Sequence, residues 1–389
     1  MVSREESKKL IYYGNSAQVN SVRHWDYNDY LELETKAQTL SGFDGEYRDF
    51  VDYILKITHK IWEEKGIGLI YDTYQNNVAM HFGSFNSYGI KSVIAGTLQT
   101  LFSFPDRKLI GQNVIWSGHE EDGFLSSHRI LSTATNLNDS SFGPATGKKV
   151  TFRTTVDCAV SNNRIYEEWL VRDNLWIVKQ LGFDPKAVAL RLAAESPDKL
   201  NEGMTASGLS ENLCGQIMPQ VYEADHVNPG EIILEMLSRV YNYRLFNEVS
   251  RYYRSDAVIH YICDQDMTGE QQIQGMLVAL FAAFPNAGFL VERVTYNERE
   301  EKDSYDIAVR WRLRGIHEGR GLFGPASGKM VDILGISHYV MTEGKICEEW
   351  LTYDGLDVYK QICNTEVSHL SQMYSDDISE EKAENEKGL

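Results

Sequence analysis

The sequence predicts an α+β protein made of two tandem copies of one unit, each a bent antiparallel sheet laid over N-terminal helices. Three observations carry this prediction: a long internal repeat, apolar residues at helical spacing at the start of each copy, and strand-like runs separated by turn residues in the rest. Helices first and antiparallel strands afterwards give α+β, not an alternating parallel sheet.

The repeat is explicit. FGPATGKKV (Phe142 to Val150) returns as FGPASGKMV (Phe323 to Val331), with seven of nine positions identical. IYEEWLVRDNLWIVKQL (Ile165 to Leu181) returns as ICEEWLTYDGLDVYKQI (Ile346 to Ile362), with nine of seventeen identical and the same offset of 181. Upstream, Phe104-Pro105 pairs with Phe284-Pro285 and His81 with His260, so the two copies differ by gaps of one or two residues. A repeat unit of about 130 residues is a duplicated domain rather than a solenoid. The expected organisation is an N-terminal extension (1–48), a first domain (49–185), a helical spacer and linker (186–229), a second domain (230–365) and an acidic tail (366–389).

Each copy opens on an amphipathic helix, with Phe50, Ile54, Ile57 and Ile61 in the first and Ile233, Leu237 and Val240 in the second. A short strand-like stretch precedes a second helix, beginning near Gly89 and Gly269, that Pro105 and Pro285 terminate. Strands follow at Phe124 to Ala134, Val150 to Val160 and Arg164 to Arg172, matched by Tyr305 to Leu313, Val331 to Met341 and Lys345 to Tyr353. Ser161-Asn162-Asn163 and Thr342-Glu343-Gly344 suit tight hairpins.

Composition narrows the function classes. The 389 residues, 42% hydrophobic and 11% aromatic, suffice for two cores. A net charge of -18 argues against a nucleic-acid partner, which needs a basic patch. The apolar runs fall short of a membrane span and the start MVSREESKKL lacks an apolar signal region, so the expectation is no membrane partner and a cytoplasmic location. Five cysteines without CxxC spacing give neither a disulfide framework nor a zinc ribbon, and with no HExxH or clustered ligands no metal or cofactor is expected. Gly319 to Gly324 fits G-x-G-x-x-G, but Pro325 follows where a dinucleotide-binding turn needs a helix. Gly143 to Lys148 is one residue short of a phosphate loop.

A proline ending the second helix, a strand with an arginine, a Gly-x-His element, the hairpin G-P-x-[ST]-G-K and the strand G-K-I-x-E-x-W-x-x-x-D resemble the SnoaL-like polyketide cyclases of the nuclear transport factor 2-like superfamily. In the second copy these are Arg310, Gly315-Ile316-His317, Gly324 to Lys329 and Gly344 to Asp354. The likeness covers both copies. It implies two cones of the cystatin-like α+β barrel type, each with an apolar pocket, and a polyketide or ester cyclase-like function. In the cyclases an aspartate acts as acid and base in intramolecular aldol closure without a cofactor; by motif it is Asp173 or Asp354 here. The resemblance also implies pairing through sheet faces, hence an internal pseudo-dimer and homo-oligomers.

Strand parity supports the same choice: period two places Ile165, Glu167, Trp169, Val171 and Asp173 on one face, and Ile346, Glu348, Trp350, Thr352 and Asp354 on its counterpart. If that face lines an apolar cone, Asp173 and Asp354 are catalytic candidates and Glu167, Glu348, Trp169 and Trp350 bind substrate. Core packing and strand-end capping compete with this assignment. His81 and His260 are either proton carriers at the cone mouth or members of a repeated structural hydrogen bond. His317, whose counterpart is Asn136, is a further catalytic candidate and makes the second copy the expected working one. Arg129 and Arg310 point away from their apolar neighbours, toward a salt bridge or a domain interface. Two functions follow: acid–base catalysis on a small, mostly apolar carbonyl compound, or a catalytically silent binding or scaffold protein.

Overall fold

The computed structural model describes residues 9–33, 36–195, 224 and 228–363. The acidic tail and most of the linker lie outside them. Two seven-stranded sheets have the same strand order. One runs β2-β5-β6-β7-β8-β3-β4 and the other β1-β11-β12-β13-β14-β9-β10. Their strands are β1 (Ile11–Gly14), β2 (Arg23–Trp25), β3 (Tyr74–His81), β4 (Asn86–Tyr88), β5 (Lys108–His119), β6 (Gly123–Thr135), β7 (Lys149–Ser161), β8 (Arg164–Arg172), β9 (Tyr253–Tyr261), β10 (Gln265–Thr268), β11 (Gly288–Glu298), β12 (Ser304–Ile316), β13 (Met330–Thr342) and β14 (Lys345–Tyr353).

The mixed α+β class stands, with one correction: the sheets are not wholly antiparallel. β8 pairs with β3, β14 with β9 and β1 with β11 in parallel, because each of these partners arrives from a distant part of the chain rather than through a hairpin. β5 and β11 are further strands the sequence patterning passed over. The hairpin tips behave as their residues dictate: Asn162, Asn163, Glu343 and Gly344 all adopt positive φ, as a two-residue turn with matching twist requires.

Helix α1 (Phe50–Trp62) buries Phe50, Ile54, Ile57 and Ile61 and is capped by Asp49, which accepts a hydrogen bond from the Asp52 N–H. α2 (Ile90–Ser103) stops two residues before Pro105. α3 (Asn174–Leu181) and α4 (Pro185–Glu195) follow the first sheet. α5 (Pro229–Met236), running on into a π-helical turn, and α6 (Gly269–Ala283) repeat α1 and α2, and α7 (Gly355–Cys363) repeats α3. The N-terminal segment touches both sheets, β1 extending the one and β2 the other.

The outer faces of the two sheets pack against each other. The Arg129 guanidinium lies 3.5 Å from the centre of the Trp350 ring and the Arg310 guanidinium 3.5 Å from that of Trp169, a reciprocal pair of repeat-equivalent residues. Asp157 of the first sheet takes ion pairs from Arg293 (2.8 Å) and Arg310 (3.3 Å) of the second. Ser127 Oγ meets His338 Nε2 at 2.8 Å, and Val171 packs on Leu334 and Ile336.

Candidate functional site

The interiors of the two units differ. In the second, the concave side of the sheet is closed by a ring stack: Phe289 on Trp311 at 4.9 Å, Trp311 near Tyr353 at 6.3 Å, and Tyr261 near Tyr353 at 5.8 Å. Trp311 fits only because Gly335 faces it: a Cβ there would lie 2.1 Å from the indole. In the first unit the corresponding positions carry Ile130 for Trp311, Thr154 for Gly335, Cys158 for Tyr339 and Arg172 for Tyr353. The space the aromatics would fill is left as a cavity of about 520 Å³, within the range of small-molecule sites. Its wall is mostly apolar, from Ile54, Ile57, Trp62, Ile130, Val156 and Leu170, and it reaches the exposed Ser92, Gly96 and Gln99 of α2.

Glu168 is the buried carboxyl that the first unit's own sheet contributes to this wall. Its position depends on a β-bulge. Across β7 and β8, Ala159 faces Glu167 and Val160 faces Ile165, so Tyr166 is an extra residue and the alternation slips by one. Ile165 and Glu168 therefore share the concave face, while Glu167 and Trp169 turn to the outer one. Glu168 Oε2 accepts a 2.8 Å hydrogen bond from the Tyr74 hydroxyl and a longer one from the Cys158 thiol. Burial, only partly offset by these bonds, pushes its pKa up to about 7. Glu349 repeats the arrangement with Tyr253 at 2.7 Å, also pushed up to about 7 by burial, but sealed within the filled unit.

The remaining polar wall is incompletely satisfied. Among the described residues His128 Nε2, Thr154 Oγ1, Arg107 Nη1, Arg172 Nε and Asn174 Oδ1 are buried without a hydrogen-bond partner, and all five residues line the cavity. Burial holds the His128 imidazole neutral, its pKa pushed down to about 3. The second unit contributes too. Asp354, Leu356, Asp357 and Lys360 complete the wall, Asp357 accepting from the Ser84 N–H and hydroxyl, and Asp354 from Asn174 Nδ2 at 2.6 Å. Burial and then the neighbouring Asp357 charge push Asp354 up to about 7.

Several expected site residues lie elsewhere. Glu167 and Trp169 are not on the cavity wall, because the bulge reverses their face. His81 stacks on Trp169 at 5.0 Å and reaches Glu167 Oε1 at 2.8 Å. His260 does the same with Trp350 and Glu348, at 5.0 and 2.9 Å, away from the cavity. Asp173 caps α3 through the Trp176 N–H and accepts the Cys263 N–H, so both its oxygens are engaged and it does not line the cavity; burial raises its pKa to about 6. His317 is a hairpin latch: its Nδ1 meets Ser327 Oγ at 3.1 Å, as Asn136 Oδ1 accepts from the Thr146 N–H and hydroxyl. Of the expected catalytic residues only Asp354 reaches the cavity, and it does so from the second unit into the first. The expectation that the second unit holds the working pocket fails on its aromatic filling. Glu168 and Glu349 were missed although both stand in the repeated Glu-Glu-Trp string; identity across the repeat marked them, and unbroken alternation hid them.

Among the described residues no helix is long and apolar enough to cross a membrane, and no group of three His, Cys, Asp or Glu side chains is placed to hold a metal ion. No curated protein matches the chain. Solved structures that resemble it include a protein of Jannaschia Sp. CCS1 assigned to the SnoaL-like polyketide cyclases (22% identity, 37% of this chain and 98% of that one, TM-score 0.32). Others are TsrD of Streptomyces laurentii (14%, 34% and 94%, TM-score 0.30) and a SnoaL-like polyketide cyclase of Agrobacterium tumefaciens (18%, 34% and 97%, TM-score 0.28). The family model for SnoaL-like polyketide cyclases matches residues 231–362, and that part of the chain is a SnoaL-like domain.

Proposed function

We propose that both units are SnoaL-like domains back to back as an internal pseudo-dimer, and that the first unit's cavity takes a small, mostly apolar carbonyl compound for acid–base chemistry by the chain's own carboxyls. The observation that carries this is Glu168: a carboxyl with a pKa of about 7, buried in the apolar wall of the cavity. Near neutral pH it is present in both protonation states, as an acid–base catalyst requires. As carboxylate, Glu168 takes the proton from a carbon next to the substrate carbonyl. The resulting enolate carbon attacks a second carbonyl carbon of the same molecule, and the alkoxide formed takes a proton back from Glu168 or from Asp354. Nothing is oxidised or reduced, and the product is an isomer of the substrate. The Tyr74 hydroxyl steadies the ionised form.

The second reading is a binding protein. It is favoured by Glu349, which keeps the same tyrosine bond in the unit whose concave face is filled by aromatic rings. Filling the cavity tests the site: Ile130→Trp with Thr154→Gly and Cys158→Tyr transplants the second unit's plug. Small molecules that copurify with the wild type, read by mass spectrometry, are expected to be absent from the triple variant. The compound so identified is then the substrate for Glu168→Gln. A fall in turnover of about 10²-fold or more is expected of a lost general base. Unchanged turnover overturns the catalytic reading, and equal ligand content in the plugged variant overturns the site.

A further inference from the structure

We propose that this cavity recognises its ligand by a carboxylate group, held by Arg107 and Arg172; the inference rests on reading the cavity as the ligand site. Both guanidiniums line it. Arg107 is 4% exposed, and its Nε and Nη2 share one neutral partner, the Ser132 hydroxyl, at 3.2 and 3.0 Å, while Nη1 has none. Arg172 Nε is also unpartnered. Both cations flank the ring of Phe152, 5.3 and 5.8 Å from its centre, so two like charges lie close together in an apolar wall.

Among the described residues no carboxylate forms an ion pair with either arginine. Some enclosed arginines are compensated, Arg293 by Asp157 at 2.8 Å and Arg312 by Glu292 and Asp332 at 2.8 and 3.2 Å, whereas Arg129, also without an ion pair, is stacked on Trp350. Asp354 acts on Arg172 and Glu63 on Arg107 only at longer range; a buried cation without a directly bonded counter-charge is costly to keep, and an anion seated on it offsets part of that cost. The repeat adds an independent observation. The positions equivalent to Arg107 and Arg172 in the filled unit are Ala287 and Tyr353, so the unit with the cavity carries both cations and the filled unit neither. A planar guanidinium with free N–H groups matches a carboxylate in two-point geometry. The unpartnered Thr154 hydroxyl can add a further donor. The substrate class is therefore a carboxylic acid with an apolar body that also bears the reacting carbonyl.

The test uses the full chain and three probes of one chain length: dodecanoate, methyl dodecanoate and dodecyl phosphate. Binding is followed by calorimetry and by tryptophan fluorescence, since Trp62 is part of the wall. Dodecanoate is expected to bind at least about tenfold tighter than the ester, a modest return for one charge-assisted pair. Arg107→Gln and Arg172→Gln are each expected to erase that preference while leaving the ester's affinity within about threefold. Equal affinity for acid and ester in the wild type overturns the proposal without any variant, as does preference for the phosphate. If no probe binds, the ligand site falls and this inference with it. If Glu168→Gln leaves turnover intact but the acid preference persists, only the catalytic reading fails.

Discussion

Glu168→Gln and Glu349→Gln give a stability experiment whose sign and size follow from burial. Each carboxyl is moved from an ordinary pKa of 4.5 to about 7, first by loss of solvent. A carboxyl raised in the folded state binds its proton more tightly there than in the unfolded chain. Its stabilising contribution is thus complete below pH 4.5 and is lost as pH rises through 7. The gap corresponds to about 3 kcal/mol per site. Glutamine keeps an oxygen to accept the Tyr74 or Tyr253 hydroxyl but cannot ionise, so it escapes the loss. The difference in unfolding free energy, variant minus wild type, is expected to shift by about 3 kcal/mol in the variant's favour between pH 4.5 and 8. Urea unfolding at several pH values, followed by tryptophan fluorescence, measures it, and taking the difference cancels the titration of all other groups. Glu349, sealed from the cavity, is expected to show the full shift, and Glu168 a smaller one if water in the cavity solvates its charge. A difference that does not vary with pH at either site refutes the burial argument.

Two further outcomes separate structure from chemistry. Asp173→Ala removes the cap of α3 and the acceptor for the Cys263 N–H, and is expected to cost about 1–3 kcal/mol in denaturant unfolding while ligand content stays unchanged. Trp350→Ala empties the partner of Arg129 between the two sheets. It is expected to cost about 3–5 kcal/mol in the same assay and to leave affinity for a cavity ligand within about threefold.

The division between chain and fold runs through particular residues. The α+β class, the helix-ending prolines and the hairpin tips were legible in the sequence because each rests on local chemistry. Apolar spacing sets α1, ring geometry stops α2, and Asn162-Asn163 can accept positive φ. Two features were not local. One inserted residue, Tyr166, reverses which face of β8 is concave, so alternation counted along an uninterrupted strand selected Glu167 and Trp169 in place of Glu168. A bulge is defined by what the neighbouring strand does, which one strand's pattern does not contain.

The cavity is the second. Ile130, Thr154, Cys158 and Arg172 are unremarkable one at a time, as are Trp311, Gly335, Tyr339 and Tyr353. They become a space or a plug only when four strand positions converge across one concave face. The sequence by itself determined the α+β class and showed strings that recur 181 residues apart with differences between them. Only the tertiary structure decided that the recognisable second unit is the filled one and the first unit holds the space, because volume belongs to the residues that meet rather than to those that are adjacent.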